Sequence, residues 1–281
     1  MNGPTGSTRT AAVIGFPVRH SLSPVMHNAA YRALGLDRVY VAFEVPPGSG
    51  REAIEAMRAL GIDGLNVTMP HKSDVAAAVD RLTPAAQVLG AVNTVTRGPR
   101  RDELIGDNTD GAGFIDTLRI DEGFEPAGRR CVVVGAGGAG RAVIRALAEA
   151  GAAAITVVNR TPDRAASAAA LAGAAGRVGV AADAADSDLI VNATPLGTRG
   201  GDEGLPVDPV TLGPGQLVVD LVYHPAVTPL VDAARARGAA ATNGLGMLIH
   251  QAAHAIRIWT GEDPPLEVMS AAALGELARR S

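Results

Sequence analysis

Short apolar runs alternate with amphipathic stretches over most of the chain. That alternation is the pattern of βαβ units around a mainly parallel sheet. The first apolar run, 11–14, predicts a strand. Ser23 then Pro24 offer a candidate N-cap with proline at the first helical position, and Gly35 ends the helix after about Leu34. A second strand is expected over 39–45. Ser49 precedes a helix with Ile54, Met57 and Leu60 on one face, closed by Gly61. The pattern then predicts a strand over 64–69, a helix over 74–82, and strands over 92–96 and 103–105 around Gly98-Pro99.

A second rhythm begins near Asp110. A helix is expected over 111–118, then a buried strand over 131–134 that runs into a glycine-rich turn. A helix over 141–150 follows, with strands over 155–158, 189–192, 217–221 and 239–242. Apolar residues at helical spacing recur from Met247 to Trp259, and another helix runs on to Arg279. These elements predict an α/β protein of two domains. An N-terminal α/β domain, 1–109 and 245–281, is interrupted by a second α/β domain of Rossmann-type doubly wound pattern, 110–244.

Composition narrows the partners. The chain has 281 residues, 25 basic against 29 acidic, a net charge of −4. So balanced a charge gives no global field to hold nucleic acid or an anionic membrane. Aromatics are only 3 %, too few for a base-stacking platform. No run of strongly apolar residues is long enough to span a membrane, and the first ten residues lack a signal-type apolar stretch. The single cysteine, Cys131, fits a reducing compartment. The expectation is a soluble cytoplasmic protein, monomer or homodimer, that binds a small molecule at a local site.

Gly135, Gly137 and Gly140 fit G-x-G-x-x-G, with an apolar strand before and an Ala-rich helix after. In that context Gly135, Gly137, Gly138, Ala139 and Gly140 are candidate partners of a pyrophosphate at a helix N-terminus. The end of the next strand selects the dinucleotide. An acid there would accept from a ribose 2′-hydroxyl, but the residues are Asn159, Arg160, Thr161 and then Arg164. Two guanidiniums suit a 2′-phosphate, so NADP(H) is the expected cofactor.

The first half carries small polar groups at predicted strand ends. Ser21-Leu22-Ser23-Pro24 sets two hydroxyls beside a helix start, and these are equally readable as caps. Lys72 follows the strand of Asn66 and Thr68. Asn93-Thr94 follows another apolar run, and Asp107-Asn108-Thr109-Asp110 stands at the domain junction. Asp110 also reads as a helix N-cap.

Taken together, these segments resemble the shikimate dehydrogenase family. Ser-Leu-Ser-Pro, Asn-Val-Thr-Met-Pro-His-Lys, Gly-Ala-Val-Asn-Thr and Gly-Asp-Asn-Thr-Asp-Gly occur in family order. Gly-Ala-Gly-Gly-Ala-Gly, Asn-Arg-Thr-Pro-Asp-Arg, Asn-Ala-Thr-Pro-Leu-Gly, Asp-Leu-Val-Tyr-His-Pro and Gly-Leu-Gly-Met-Leu-Ile-His-Gln follow. The resemblance implies reversible NADPH-dependent reduction of 3-dehydroshikimate to shikimate, a step toward aromatic amino acids. It implies a substrate-binding and catalytic domain, 1–109 and 245–281, and an NADP-binding Rossmann domain, 110–244, around a cleft, with Lys72 and Asp110 as the catalytic pair and Ser21, Ser23 and Tyr223 around the carboxylate. Asn66, Thr68, Asn93 and Gln251 are the implied partners of the ring hydroxyls. Asn192, Ala193, Thr194, Leu221, Gly244 and Met247 are implied near the nicotinamide.

Other readings stand beside this one. A quinate/shikimate or aminoshikimate dehydrogenase shares the motifs, and His71 and Asn243 depart from the common family pattern. A folate-type methylene dehydrogenase has a similar layout but lacks Ser-x-Ser-Pro and Gly-Asp-Asn-Thr-Asp. A non-catalytic dinucleotide sensor would not need both Lys72 and Asp110. His250 and His254 have the spacing of a metal pair, yet no glutamate motif accompanies them, so no metal is expected. Cys131 reads as a small buried apolar residue and Trp259 as packing for the C-terminal helix.

Overall fold

A computed structural model describes residues 3–198 and 204–280. The chain divides into two compact units, Met1–Thr109 with Ile249–Ser281, and Asp110–Leu248. The return to the first unit falls at Ile249 rather than Leu245, inside a helix.

The first unit runs β1 (Arg9–Gly15), α1 (Ser23–Ala33), β2 (Arg38–Glu44), α2 (Gly50–Ala59), β3 (Gly64–Val67) and α3 (Lys72–Ala76). Then come β4 (Arg81–Leu82), α4 (Pro84–Leu89), β5 (Thr94–Arg97) and β6 (Leu104–Asp107). The sheet order is β2-β1-β3-β5-β6-β4. β1 is parallel to β2 and β3, whereas β5 is antiparallel to both β3 and β6. The sheet is thus mainly parallel with one reversed strand, β5, because the short Gly98-Pro99 connection makes a hairpin, which joins only antiparallel strands.

Three local expectations change. The helix expected over 74–82 stops at Ala76, because the Asp80 N–H donates to the Leu104 carbonyl and Arg81–Leu82 pair with β6. A distant strand thus captures backbone that local propensity would leave helical. Leu60 lies past α2 as its C-cap and is exposed, while Ile54 and Met57 are buried. Ser23 is not a cap: Leu22 takes that position without a side-chain bond, and the Ser21 Oγ accepts from the Ser23 N–H.

The second unit opens with α5 (Asp110–Asp116), which continues into a π-helical turn, Thr117–Asp121. It proceeds through β7 (Arg130–Val134), α6 (Gly138–Glu149), β8 (Ala154–Val158), α7 (Pro162–Ala169) and β9 (Gly176–Val178). β10 (Leu189–Asn192), β11 (Leu217–Asp220), α8 (Pro229–Ala236) and β12 (Ala240–Asn243) complete it. All strands are parallel, in the order β12-β11-β10-β7-β8-β9. Read from β9, that is third, second, first, fourth, fifth, sixth, the doubly wound order whose switch point lies between β7 and β10. Successive strand residues face opposite sides: Val133, Val191 and Val219 join one core, and Val132, Ile190 and Val218 the other.

α9 (Leu245–Thr260) starts in the second unit and ends in the first. α10 (Leu266–Arg280) packs on α1. The sequence pattern had not marked α4, α7 and α8, yet each starts at a Thr-Pro pair. Thr83 and Thr228 accept from the N–H three residues on, and proline occupies the first turn of all three. Among the described residues no helix is long and apolar enough to cross a membrane.

Candidate active site

In the second unit, β7 enters a turn built for close backbone approach. Gly135 has φ +111°, and a side chain there would meet the Ala193 main chain. A Cβ on Gly140 would collide with the Gly135 carbonyl oxygen, so the first turn of α6 lies directly on the glycine loop. Gly137, the N-cap of α6, makes no side-chain cap and has open space above it. Gly137 and Gly138 are exposed and Ala139 half-buried. The N–H groups at the start of α6 and the helix dipole thus meet open space, which fits a pyrophosphate.

Asn159 braces this turn. Its Oδ1 accepts from the Ala136 N–H at 3.2 Å, and its Nδ2 donates to the Thr161 carbonyl at 3.1 Å. The side chain shapes the loop from the end of β8. Arg160, Thr161 and Arg164 are exposed, and neither arginine pairs with an acid among the described residues. This fits a 2′-phosphate.

The next strand ends are held by a buried carboxylate that sequence reasoning did not single out. Asp220 is fully buried; it accepts from Thr228 Oγ1 at 2.6 Å, Asn192 Nδ2 at 2.8 Å and the Val222 N–H at 3.1 Å. Burial raises its carboxyl above the usual range, against the pull of those donors. Asn192 is also fully buried. Its Oδ1 accepts from the Thr194 N–H and hydroxyl at 3.0 and 2.6 Å. Its side chain holds the turn that carries Ala193 and Thr194. Gly244 lies so close to the Leu221 carbonyl that any side chain would collide. Asn243 accepts from the Leu245 N–H at 3.0 Å and so starts α9; its amide donates to the Ala226 carbonyl. Met247 is buried in the core, Tyr223 is half-buried, and Asp110 is buried at the first residue of α5.

In the first unit the candidate residues meet at the ends of β3, β5 and β6. The Tyr40 hydroxyl donates to Asn66 Oδ1 at 2.7 Å. Asn66 Nδ2 donates to the Asn93 carbonyl at 3.2 Å and to Thr94 Oγ1 at 3.1 Å. Thr94 donates to Asn93 Oδ1 at 3.0 Å, and Asn93 Nδ2 to Thr109 Oγ1 at 3.0 Å. The Thr109 N–H donates to Asn93 Oδ1 at 2.8 Å, and its hydroxyl reaches the Gln251 carbonyl at 3.2 Å. These groups are buried, and the bonds fix which way each amide points. Thr68, Lys72, Ser21 and Gln251 are half-buried, and Ser23 is buried.

Lys72 is the first residue of α3, and its carbonyl accepts from the Val92 N–H at 2.9 Å. His71, fully buried, bonds the Val45 carbonyl through Nε2 at 2.8 Å and so ties the chain after β2 to the start of α3. Thr109 stands in the polar segment at the domain junction, which the sequence marks without giving that residue a role, whereas Tyr40 gives no local signal. Trp259 donates from Nε1 to the Val95 carbonyl at 3.1 Å. Cys131 is buried, its thiol pushed up to about 12 by burial, which leaves it inert as a nucleophile. Among the described residues no three His, Cys, Asp or Glu side chains are placed to hold a metal ion.

Comparison with known proteins gives three family-model matches. They are described as shikimate dehydrogenase substrate binding domain over 13–95, shikimate / quinate 5-dehydrogenase over 121–194, and shikimate 5'-dehydrogenase C-terminal domain over 244–274. The chain is 45 % identical to shikimate dehydrogenase (NADP(+)) of Moorella thermoacetica, over 94 % of this chain and 92 % of that one. It is similar to the crystal structure of a shikimate dehydrogenase in complex with NADP+, at TM-score 0.92 and 38 % identity, covering 98 % of both chains. It is also similar to the Thermus thermophilus shikimate 5-dehydrogenase in complex with NADP(H) and shikimate. There the TM-score is 0.88 at 38 % identity, over 95 % of this chain and 99 % of that one.

Proposed function

The chain belongs to the shikimate dehydrogenase family, and from that premise we propose that it interconverts shikimate and 3-dehydroshikimate with NADP(H). The observation that carries the reading is the buried amide and hydroxyl network from Tyr40 to Thr109, which lies beside Lys72 at the ends of β3, β5 and β6. A rigid array of oriented donors and acceptors suits a ligand with several ring hydroxyls, and a hydrophobic substrate would gain nothing from it.

Lys72 stabilises the negative charge that develops on the ketone oxygen during reduction, and donates the proton that completes the alcohol. Asp110 accepts a hydrogen bond from a substrate hydroxyl. Ser21, Ser23 and Tyr223 bind the carboxylate. Thr68, Asn93, Asn66 and Gln251 discriminate the ring hydroxyls. Gly135, Gly137, Gly138, Ala139 and Gly140 would hold the cofactor pyrophosphate, and Arg160 and Arg164 its 2′-phosphate, with Asn159 and Thr161 adding neutral bonds. Ala193, Thr194, Leu221, Gly244 and Met247 would border the nicotinamide, with Asn192 holding their turn. NADP(H), when bound, supplies or accepts the hydride. Part of the same reading is a cytoplasmic enzyme, monomer or homodimer, with no nucleic acid or membrane partner.

The test is the Lys72→Ala enzyme. Its kcat for shikimate oxidation should fall by roughly 10²–10⁴-fold with KM for shikimate little changed. An unchanged kcat would sink the assignment of Lys72.

A further inference from the structure

We propose that Tyr40 is a positioning residue for substrate recognition, its buried hydroxyl setting the Asn66 side chain for the ligand it holds. The inference rests on the reading above, in which Asn66 touches the substrate.

Tyr40 lies on the edge strand β2, where an aromatic side chain usually meets solvent on one side, yet it is only 1 % exposed. Its main chain is clamped from α1: Asn28 Nδ2 donates to the Tyr40 carbonyl and Asn28 Oδ1 accepts from its N–H, both at 2.8 Å. These bonds occupy the edge groups that a further strand would otherwise pair. The ring stacks on His27 at 3.9 Å between centroids and 17° between planes, with Trp259 at 6.2 Å. The His27 Nδ1 in turn bonds the Ser23 carbonyl at 2.9 Å. Ser23, His27 and Asn28 of α1 therefore all register against this one residue.

The position of the ring is thus fixed by contacts that do not involve its hydroxyl. The hydroxyl does something separate. It donates to Asn66 Oδ1 at 2.7 Å. Burial holds the Tyr40 phenol well above its ordinary range, so it remains a neutral donor at any working pH. The phenol thereby ties the edge strand β2 to an amide on β3. Without it, Asn66 Oδ1 loses its donor in a buried setting, where an unsatisfied carbonyl favours rotation of the amide. The consequence falls on ligand geometry and leaves the packing of the unit intact.

Tyr40→Phe removes the hydroxyl and keeps the ring. The steady-state constants of Tyr40→Phe, Asn66→Ala and the double variant test the idea, with Tm as a fold control. Tyr40→Phe should raise KM for shikimate on the order of tenfold, with a smaller change in kcat and none in KM for NADP. In the Asn66→Ala background the same change should add little further rise, since its target is gone. An unchanged KM in Tyr40→Phe, or the same fold-rise in both backgrounds, would overturn the role. An Asn66→Ala enzyme with unchanged KM for shikimate would instead overturn Asn66 as a substrate contact, and this role with it.

Discussion

The two units prepare for a ligand by different means. At the glycine turn of the second unit the main chain does the work: N–H groups at the start of α6, with Gly135 and Gly140 letting backbone approach backbone. At the strand ends of the first unit the work falls to side chains, and those side chains are buried and bonded to one another before any ligand arrives. A main-chain site tolerates almost no added atom, because its complementarity is steric. A side-chain network degrades by degrees, because each removed group leaves the others in place. The difference also suits the ligands expected. A pyrophosphate is recognised by charge and shape, whereas a polyol acid must be told from its near relatives by the position of single hydroxyls.

This contrast can be broken by mutation, beginning with the harshest change. Gly140→Val drives a branched side chain into the Gly135 carbonyl, so NADP binding should fall by at least about 100-fold or the variant should fail to fold. Titration of NADPH fluorescence reads the first outcome and a melting curve the second. Wild-type affinity in a folded variant would refute the steric account.

Next comes Arg160→Ala with Arg164→Ala. Both side chains are exposed, and on the role proposed for them at the 2′-phosphate KM for NADP should rise about 10–100-fold while KM for NAD hardly moves. A parallel rise for both cofactors would show that the arginines act on the fold or on the pyrophosphate instead.

A milder test is Thr109→Val in the first unit. It removes a hydroxyl that bridges Asn93 and the Gln251 carbonyl. KM for shikimate should rise by about 3–10-fold, with the NADP constants unchanged. Equal effects on both substrates would mean that the network supports the enzyme generally and not the acid site.

The last test concerns stability rather than turnover. Burial lowers the His27 imidazole from 6.5 to about 4, with the bond to Ser23 opposing. Between those values the unfolded chain binds a proton that the folded one does not. Stability from this source is complete above pH 6.5 and is lost as pH falls toward 4, by up to about 3 kcal/mol. The acid limb of a Tm–pH curve should therefore be shallower in His27→Phe than in wild type. Parallel limbs would assign the acid sensitivity elsewhere.

The same contrast explains what could be read from the chain alone. The glycine turn was legible because its constraint is local: strand, glycines and helix follow within one βαβ unit, and the absence of an acid at Asn159-Arg160-Thr161 is visible by inspection. The polar residues of the first unit were legible as types at strand ends but not as a network. Tyr40 bonds Asn66, Asn93 bonds Thr109, and Thr109 reaches Gln251, each across a long stretch of chain. Local pattern carries no record of such pairings. The helix expected over 74–82 failed for the same reason, since β6 captures Arg81–Leu82 from a distance. By contrast, α4, α7 and α8 were recoverable from their Thr-Pro starts. Asp220 heads the Asp-Leu-Val-Tyr-His-Pro segment, yet nothing local marks its side chain as buried. An aspartate after an apolar run reads as a surface residue until the fold buries it.

Steady-state kinetics with shikimate and quinate, each paired with NADP and with NAD, test the account most directly. The predicted result is the highest kcat/KM for shikimate with NADP, at least about tenfold above each other combination. Comparable kcat/KM with NAD, or a preference for quinate, would contradict it.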